Sequence, residues 1–177
     1  MDKNEKLKIV KDAIKSYPNF PKDGVLFRDI FSVFQDVEAT RAMKDLLIEH
    51  VASLNIDFVV GLDSRGFLIG PLICLEIGKP FIPIRKKGKL PGNVYQQSFM
   101  SEYGEGVLEI QKEPKLKGKR VLLVDDLLAT GGTLATAVKL VKSLEADIVE
   151  CFVLIELLSL NGRSRFNAPV HALIQYD

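Results

Sequence analysis

Hydrophobic and polar residues follow two different spacings along this chain, and the spacings predict its helices and strands. Apolar residues at steps of three and four predict helices at residues 3–17, 38–54, 67–77 and 133–145. Short apolar, largely β-branched runs predict strands at residues 57–62, 79–84, 121–124, 147–156 and 172–174. Because strands and helices alternate from residue 57 onwards, we expect an α/β fold with a twisted, mainly parallel sheet flanked by helices.

Two segments do not fit this alternation. Residues 20–29 contain proline and glycine and predict an ordered, irregular connection with Val25 to Phe27 extended, or alternatively an edge strand. Residues 94–111 alternate apolar and polar side chains on both sides of a turn at Gly104–Gly106, which is the pattern of a two-stranded arm. An insertion of this kind, at about residues 85–113, is unusual between core strands and predicts a lid.

Composition and charge exclude several classes of protein. The chain has 177 residues, 47% of them hydrophobic, which suits a single domain over residues 1–177. Its net charge of +1 provides no overall field that would draw it to nucleic acid or to an anionic membrane. Residues 1–8 are mostly charged and no apolar run reaches the roughly eighteen residues of a membrane span, so we expect a soluble cytoplasmic protein. Cys74 and Cys151 lack metal-ligand spacing and are expected to be buried thiols, with no zinc site.

The most informative chemistry follows the apolar run Val121–Val124, which is typical of a parallel strand buried on both faces. Asp125 and Asp126 end this run, and ligands of α/β sheets bind beyond the carboxyl ends of such strands. The turn that follows, Thr130 to Thr133, combines two glycines with two hydroxyl groups at the start of the predicted helix. Free backbone N–H groups and the positive end of the helix dipole make this turn a cradle for a phosphate group.

Paired acids about one loop away from a phosphate cradle indicate a phosphorylated sugar. Carboxylates accept hydrogen bonds from sugar hydroxyls or hold a hydrated magnesium ion, and a ribose 5-phosphate unit suits both parts. The motif Gly-x-x-x-x-Gly-Lys-Ser/Thr of nucleoside triphosphate sites is not completed, and Gly104-x-Gly106 lacks the third glycine of a dinucleotide motif. The alternative interpretation is an ordinary strand-to-helix turn whose polar residues only cap the helix.

A second loop repeats this geometry. Residues 63–66, Asp-Ser-Arg-Gly, turn one predicted strand into the next helix. Arg65 at the amino end of a helix opposes the helix dipole unless an anion is nearby, so this position predicts a second phosphate group. The alternative is that Asp63 or Ser64 merely caps the helix. The densest cationic run, residues 85–89, follows the next strand, where its charges can face the same ligand or, alternatively, form a solvated loop.

Residues 124–133, Val-Asp-Asp-Leu-Leu-Ala-Thr-Gly-Gly-Thr, resemble the phosphoribosyl pyrophosphate motif of the type I phosphoribosyltransferases. The amino acids at these positions are most similar to those of the family members that use adenine. The resemblance covers nearly the whole chain, with matching segments at residues 20–29, 61–67, 85–92 and 102–104. It implies the fold of that family, with a β-hairpin hood and a base-binding region near the amino terminus. It also implies transfer of the 5-phosphoribosyl group from phosphoribosyl pyrophosphate to adenine, giving AMP and diphosphate in purine salvage. The implied cofactor is Mg²⁺, held mainly through substrate and water, and the implied assembly is a homodimer.

The chemistry of the motifs and the resemblance together assign the candidate site residues. The 5-phosphate and ribose are expected to contact Asp125, Asp126, Ala129, Thr130, Gly131, Gly132 and Thr133. The diphosphate is expected to contact Asp63, Ser64, Arg65, Arg85, Lys86 and Lys89. Adenine is expected to contact Val25, Leu26, Phe27, Arg28 and Leu127. The expected catalytic residues are Glu102, Tyr103, Asp125, Asp126 and Arg65.

The resemblance adds three details about these residues. It implies a non-proline cis peptide bond between Asp63 and Ser64. It implies that backbone groups between Val25 and Arg28 read the amino edge of adenine, with Leu26 and Phe27 on either side of the ring. The carboxylate of Glu102, at the tip of the arm, would accept the purine proton or orient the base, and the alternative is a solvated turn with an incidental acid.

Two other functions stay open from the sequence. The same chemistry on another base, such as xanthine, hypoxanthine or orotate, would leave the phosphate and ribose residues unchanged. A phosphoribosyl pyrophosphate-sensing regulator would keep the cradle and lose the lid, and it would need a basic helix-turn-helix for which this chain has neither spare length nor net charge. His50 and His171 lie away from every motif and are expected to be exposed or structural rather than catalytic bases.

Overall fold

The computed structural model describes residues 1–101 and 104–177 of the chain. Contacts between residues divide it into two compact units, Met1–Val51 and Ala52–Asp177. Within the described residues, no helix is both long enough and apolar enough to span a lipid bilayer.

The amino-terminal unit combines helices with a small antiparallel sheet. Its elements are α1 (Lys3–Ala13), β1 (Lys15–Pro18), β2 (Leu26–Asp29), α2 (Phe31–Phe34) and α3 (Val37–Val51). Helix α1 begins with a capping box, in which the Asp2 and Glu5 side chains each accept a hydrogen bond from the other residue's backbone N–H. The apolar side of α3 that its spacing predicts is buried, at Ala39, Ala42, Met43, Leu46, Leu47 and Val51. Helices α1 and α3 pack against each other, and Lys6 forms an ion pair with Glu49 between them.

The helix predicted at residues 3–17 is shorter than its periodicity indicates. Helix α1 stops a turn earlier, and Lys15–Pro18 form strand β1, with Tyr17 opposite Phe27 of β2. A residue that precedes proline avoids the helical region, so Tyr17 favours extended backbone and the segment pairs with β2 instead. The extended backbone predicted for Val25 to Phe27 is confirmed at Leu26 and Phe27, which belong to β2, whereas Val25 precedes the strand.

The second unit is built on one sheet. Over the described residues, its main elements are β3 (Phe58–Leu62), α4 (Gly66–Ile77), β4 (Phe81–Lys86), β5 (Val94–Ser101), β6 (Gly104–Gln111), β7 (Arg120–Leu128), α5 (Gly132–Ser143), β8 (Asp147–Leu157) and β9 (Val170–Tyr176). The strand order is β5-β6-β4-β3-β7-β8-β9. Neighbouring strands from β4 to β9 in this order are parallel. Strand β6 is antiparallel to β4, and β5 is antiparallel to β6. The predicted α/β fold with a mainly parallel sheet is confirmed.

The boundary between β3 and β7 is the topological switch point of the sheet. From β3 the chain crosses through α4 to β4 on one side, and after the β5-β6 hairpin it returns to β7 on the other side of β3. The two crossovers that contain α4 and α5 run in opposite directions, so right-handed connections place these helices on opposite faces of the sheet. The carboxyl ends of β3 and β7 lie side by side at one edge, where ligands of such sheets bind.

The core confirms that the central strand is buried on both faces. Residues Val121 to Val124 of β7 are each 0% exposed. One face of the sheet packs against α5 in a buried apolar cluster that includes Val60, Ile110, Leu123 and Val141. The site therefore stands on a rigid support, because a densely packed core resists displacement.

Strand β7 is longer than its apolar run predicts. The backbone at Asp125 lies opposite Val153 of β8, and the pairing continues to Leu128. Hydrogen bonds to the neighbouring strand outweigh the low strand preference of aspartate. Asp125 and Asp126 are therefore part of β7, which extends beyond the bounds of Val121–Val124 predicted for this strand.

The predicted two-stranded arm is confirmed as the β5-β6 hairpin, but its glycines are not in the turn. Ser101 pairs with Gly104, so Gly104 and Gly106 both belong to β6. Phe99 lies opposite Gly106, and a Cβ atom added to Gly106 would be 2.4 Å from the Phe99 ring. The aromatic ring covers the bare backbone of the glycine, which explains a glycine within this strand.

Candidate active site

The turn that follows β3 contacts the end of β7 directly. Gly66, the first residue of α4, approaches β7 so closely that an added Cβ atom would be 2.8 Å from the carbonyl oxygen of Val124. Glycine is required for such a close approach of two backbones. The turn at residues 63–65 therefore lies beside Asp125 and Asp126, as the sequence predicted for residues at the ends of neighbouring parallel strands.

The two acids differ in their surroundings. Asp126 is buried, and its Oδ2 atom lies 2.7 Å from Nε of Arg65. Asp125 Oδ1 accepts a 2.9 Å hydrogen bond from the Asp126 N–H. Burial, and then the neighbouring Asp126 carboxylate, raise the pKa of Asp125, and the charge of Arg65 only partly opposes this rise. The site therefore holds a poorly solvated carboxylate that a positive charge on a ligand would stabilise.

Arg65 stands at the amino end of α4, where its charge opposes the helix dipole, as predicted. The sequence argument required a nearby anion, and the structure provides the Asp126 carboxylate for this role. The Arg65 side chain is 30% exposed, so its guanidinium both holds Asp126 and reaches the solvent side of the site.

The remaining residues of this turn are tied to the loop after β4. The peptide bond between Asp63 and Ser64 is cis, as the resemblance implied. Arg85 Nε lies 2.7 Å from Asp63 Oδ2, and Arg85 Nη1 donates a 3.1 Å hydrogen bond to the Lys89 carbonyl oxygen. Arg85 therefore joins the two loops that were each predicted to contact a diphosphate group.

The cationic run at residues 86–89 forms an anchored turn. The Gly88 N–H donates a 3.0 Å hydrogen bond to Glu109 Oε2, and Gln96 Nε2 donates a 2.7 Å hydrogen bond to Glu109 Oε1. Glu109 is only 3% exposed, so it is a buried carboxylate with both oxygens bound. Sequence reasoning missed its role, although a charged residue between Leu108 and Ile110 interrupts an apolar stretch of strand.

A cavity of about 540 Å³ brings this turn together with the amino end of α5. It is lined by Lys86, Lys87, Phe99, Gly104, Glu105, Gly106, Val107 and Thr133. Lys86 and Thr133 were predicted to contact the diphosphate and the 5-phosphate, respectively. Lys87 was not among the predicted site residues, although it belongs to the same cationic run. The cavity is large enough for a small phosphorylated ligand, since ligand pockets span about 300 to 1,000 Å³.

The predicted phosphate cradle opens directly into α5. Gly131 occupies the N-cap position with φ of 83°, and no side chain caps the helix. The first N–H groups of α5 therefore remain available to a ligand anion. Thr130 and Thr133 are exposed and Ala129 is half-buried, so the turn presents backbone and hydroxyl groups at the surface of this unit.

The two glycines of the cradle are required for different reasons. A Cβ atom on Gly131 would be 2.4 Å from the carbonyl oxygen of Gly162, whereas the nearest atom to a Cβ on Gly132 would be Arg165 Nη1 at 4.0 Å. Gly131 thus allows a left-handed backbone and a close contact with another turn. Gly132 leaves open space in front of the helix, which is where a phosphate group would lie.

These surroundings predict opposite behaviour for one substitution at neighbouring positions. Gly131→Val should lower the unfolding free energy by about 2 kcal/mol or more, because it combines positive φ with a backbone clash. Gly132→Val should change stability by less than about 1 kcal/mol but weaken binding of ribose 5-phosphate, because the side chain fills the cradle. Thermal unfolding without ligand and titration calorimetry measure the two effects. Unaltered binding by Gly132→Val would place the phosphate elsewhere.

The segment predicted to contact adenine lies in the amino-terminal unit, on and before β2. The Phe27 ring packs edge-to-face against Phe20 with centroids 5.1 Å apart, and Arg28 Nη1 donates a 2.6 Å hydrogen bond to Ser16 Oγ. Leu26 is exposed and Phe27 is half-buried on β2, and their position on either side of an adenine ring stays a prediction.

The other predicted residues divide between described and undescribed positions. Leu127 is half-buried on β7, next to Asp126. Glu102 and Tyr103 lie outside the described residues. His171 stacks against Phe152, with ring centroids 5.9 Å apart, which agrees with the structural role expected for it.

Both thiols are free, and neither is poised for chemistry. Cys151 is buried as predicted, whereas Cys74 is only half-buried. Burial raises the pKa of Cys74 to about 11 and that of Cys151 to about 12. A thiol with a pKa this high is almost fully protonated near neutral pH, so both are poor nucleophiles.

Comparison with known proteins agrees with this geometry. Residues 33–172 match the family model of the phosphoribosyl transferase domain. Adenine phosphoribosyltransferase of Mastomys natalensis is 49% identical over 97% of this chain and 97% of that protein. The crystal structure of the Saccharomyces cerevisiae enzyme of the same name, complexed with an imino-altritol bisphosphate and adenine, has a TM-score of 0.91 and 42% identity, covering 97% of this chain and 99% of that one.

A more distant relative has the same fold. The adenine phosphoribosyl transferase of Trypanosoma brucei, in complex with AMP, pyrophosphate and ribose-5-phosphate, has a TM-score of 0.88 and 29% identity, covering 96% of this chain and 79% of that one. The matches extend across both units of the chain and include the acids and the cradle of β7 and α5. The chain therefore belongs to the phosphoribosyltransferase family, within the group of the adenine phosphoribosyltransferases.

Proposed function

We propose that this chain transfers the 5-phosphoribosyl group from phosphoribosyl pyrophosphate to adenine, forming AMP and diphosphate. One observation carries the proposal: Asp125, Asp126 and the paired Arg65 stand at the switch point of the sheet, on the strand that leads to the open amino end of α5. A sugar phosphate needs hydroxyl acceptors and an anion site in this arrangement. The identity of 49% to an adenine phosphoribosyltransferase over nearly the full chain supports the choice of base.

The sugar phosphate is assigned to β7 and α5. The 5-phosphate accepts hydrogen bonds from the backbone and hydroxyl groups of residues 129–133, at the positive end of the helix dipole. The carboxylates of Asp125 and Asp126 accept hydrogen bonds from the ribose hydroxyls. Because Asp125 and Asp126 are held in a strand and Asp126 is paired with Arg65, the ribose binds to preorganised groups.

The diphosphate is assigned to the two loops beside the sugar. Arg65 donates from the turn after β3, near the backbone of Asp63 and Ser64, and Lys86 and Lys89 donate from the anchored turn after β4. Arg85 is half-buried and holds these loops together, so its part in binding is positioning as well as charge. The cavity also adds Lys87 to the lysines that can reach the ligand.

The family resemblance assigns the contacts with adenine to Val25, Leu26, Phe27 and Arg28, and to Leu127. Only β1 pairs with β2 in the described residues, so the other edge of β2 has unpaired N–H and C=O groups. The amino group of adenine can donate to such a C=O group, and the adjacent ring nitrogen can accept from such an N–H group. As the family resemblance implies, Glu102 is assigned to accept the purine proton or to orient the base, and Tyr103 is assigned to the catalytic residues beside Glu102.

Electrostatic stabilisation of the transition state at the anomeric carbon promotes the chemical step. As the bond to diphosphate lengthens, positive charge develops on the sugar, and the carboxylates of Asp125 and Asp126 stabilise it. Burial and the neighbouring carboxylate raise the pKa of Asp125 in the free protein, so positive charge that develops beside it favours its ionised form. A purine nitrogen then bonds to the anomeric carbon while the diphosphate leaves with the electrons of the old bond. Because both substrates are bound in a fixed orientation, the reaction does not depend on a chance encounter between them in solution.

Magnesium fits this site as a substrate-held ion. Among residues 1–101 and 104–177, no group of three or more His, Cys, Asp or Glu side chains converges on one point. Magnesium usually retains several waters and binds together with substrate phosphates, so the ion would be held mainly through substrate and water. The ion would supply charge neutralisation of the leaving diphosphate oxygens.

The test is direct product analysis. Purified protein, phosphoribosyl pyrophosphate, Mg²⁺ and adenine are expected to give AMP and diphosphate in equal amounts, resolved by chromatography. The same protein carrying Asp125→Asn and Asp126→Asn together controls for contaminating activity. Product formation no faster than in the protein-free mixture would refute the proposal.

We also propose that the protein is a cytoplasmic homodimer. Helix α4 is apolar around most of its circumference, and Leu75 on it is 82% exposed. A second copy of the chain covers this surface, since exposed apolar patches mark association sites. Light scattering should give a molar mass of twice the chain mass of 19.7 kDa. The substitution Leu75→Glu should lower the measured mass toward that of a single chain. A molar mass of one chain for the parent protein would contradict the dimer.

The two free cysteines agree with a reducing compartment, which supports the proposed cytoplasmic location.

A further inference from the structure

The turn that follows β8, the strand next to β7, packs against the phosphate cradle. It consists of two short 3-10 helices between β8 and β9, Leu158–Leu160 and Gly162–Arg165. A Cβ atom on Gly162 would be 2.4 Å from the Ala129 carbonyl oxygen and 3.1 Å from the Gly131 nitrogen. The turn and the cradle thus touch through backbone, with no room for a methyl group between them.

An internal ion pair fixes this turn to the sheet. Arg163 Nε and Nη2 donate 2.6 Å hydrogen bonds to the two carboxylate oxygens of Glu156, and Arg163 Nη1 donates to the Val170 carbonyl oxygen at 2.9 Å. Glu156 is 3% exposed and also accepts from Gln175 Nε2 at 2.8 Å. The hydrogen bonds from Arg163 lower the pKa of the Glu156 carboxyl, in spite of its burial. A bidentate pair of this kind holds the turn in one geometry.

Arg165, at the end of the same turn, is placed differently. Its Nη1 atom lies 4.0 Å from the position of a Cβ on Gly132, at the open amino end of α5. Its side chain is exposed, and it makes no hydrogen bond or ion pair within the described residues. A guanidinium next to the positive end of a helix is unfavourable in the absence of an anion. In contrast to Arg65, which has Asp126, Arg165 has no carboxylate partner there.

We propose that Arg165 is a substrate-binding residue that donates hydrogen bonds to the 5-phosphate group from the side opposite the α5 backbone. The inference rests on the proposed function, because it takes the cradle as the site of that phosphate. The Glu156–Arg163 pair holds the turn so that the guanidinium of Arg165 stays over Gly132. Sequence reasoning missed Arg165, since it lies more than thirty residues after the motif, on a different loop.

The experiment compares binding of ribose 5-phosphate and of diphosphate by titration calorimetry. Arg165→Gln is expected to raise the dissociation constant of ribose 5-phosphate about 10-fold, consistent with the loss of a charge-assisted hydrogen bond at an exposed site. Arg165→Lys should have a smaller effect, because it keeps the charge and loses the planar fork. Diphosphate binding should be unchanged in both variants. The KM for phosphoribosyl pyrophosphate should rise by the same factor at constant kcat, since the contact is equal in ground and transition states.

Lys139→Gln is the matched control. It removes one positive charge from the exposed face of α5, about 10 Å along the helix from Gly132, and should leave both dissociation constants unchanged. Arg165→Gln binding ribose 5-phosphate as tightly as the parent, or losing diphosphate affinity equally, would overturn the assignment of Arg165. A parent that neither binds ribose 5-phosphate nor forms AMP would instead refute the proposed function, and this inference with it.

Discussion

Adenine is expected to react at least about 10⁴-fold more efficiently than hypoxanthine, in kcat/KM, when both are offered with phosphoribosyl pyrophosphate and Mg²⁺. The two bases differ in whether the ring carries an amino group or a carbonyl at the same position. Backbone groups that pair with the amino edge are left unsatisfied when the carbonyl replaces it, and unpaired buried groups are costly. The free edge of β2 is the source of these backbone groups in our proposal.

Parallel steady-state assays with adenine, hypoxanthine, guanine, xanthine and orotate measure this preference. The concentration of phosphoribosyl pyrophosphate is kept saturating in every assay, so that only the base varies. Comparable use of hypoxanthine would reject the adenine assignment and leave the phosphate and ribose assignments intact. Exclusive use of orotate would reject the purine site altogether.

Asp125→Asn is expected to lower kcat about 100-fold to 1,000-fold, because it removes a preorganised negative charge from the carbon where positive charge develops. The amide keeps the size of the side chain and can still accept the hydrogen bond from the Asp126 N–H. The loss should therefore fall mainly on kcat, with a smaller change in the KM for phosphoribosyl pyrophosphate. Activity within a few-fold of the parent would remove Asp125 from the catalytic residues.

The same substitution is expected to stabilise the free protein at neutral pH. In the folded protein the pKa of Asp125 is raised well above its ordinary value of 3.8, so ionising it costs more in the folded than in the unfolded state. This cost is absent below pH 3.8, grows as the pH rises toward the folded-state pKa, and is complete above it. Thermal unfolding should show a higher Tm for Asp125→Asn, by about 2 to 4 °C per kcal/mol, and the gain should shrink on acidification.

Asp126→Asn provides the contrasting variant. Its carboxylate lies 2.7 Å from Arg65, so the amide loses this charge–charge attraction at a buried position and should lower stability rather than raise it. Catalysis should fall in both variants, whereas the changes in Tm should have opposite signs. A lower Tm for Asp125→Asn at neutral pH would show that the carboxylate contributes to the fold and would contradict the raised pKa.

Local patterns in the sequence were sufficient for most of the fold. The apolar run at Val121–Val124 predicted a strand buried on both faces, and helix α5 starts at Gly132, one residue before its predicted start. Alternation over residues 94–111 predicted the hairpin. Each of these depends on a short-range periodicity that a helix or strand imposes on its own residues, so the sequence contains it directly. The proximity of the two strand-to-helix turns followed from the same patterns, because parallel strands end at one edge.

Tertiary structure decided what depends on distant partners. Strand β7 continues through Asp125 because β8 pairs with it, and helix α1 ends early because β2 takes up the next residues. The buried carboxylates Glu109 and Glu156 support the site through residues that no periodicity connects to them. Spacing along the chain describes which residues share a face, but not which other segment meets that face. The pairing of Arg65 with Asp126 and the contact of Gly162 with the cradle exist only once the strands are ordered in the sheet.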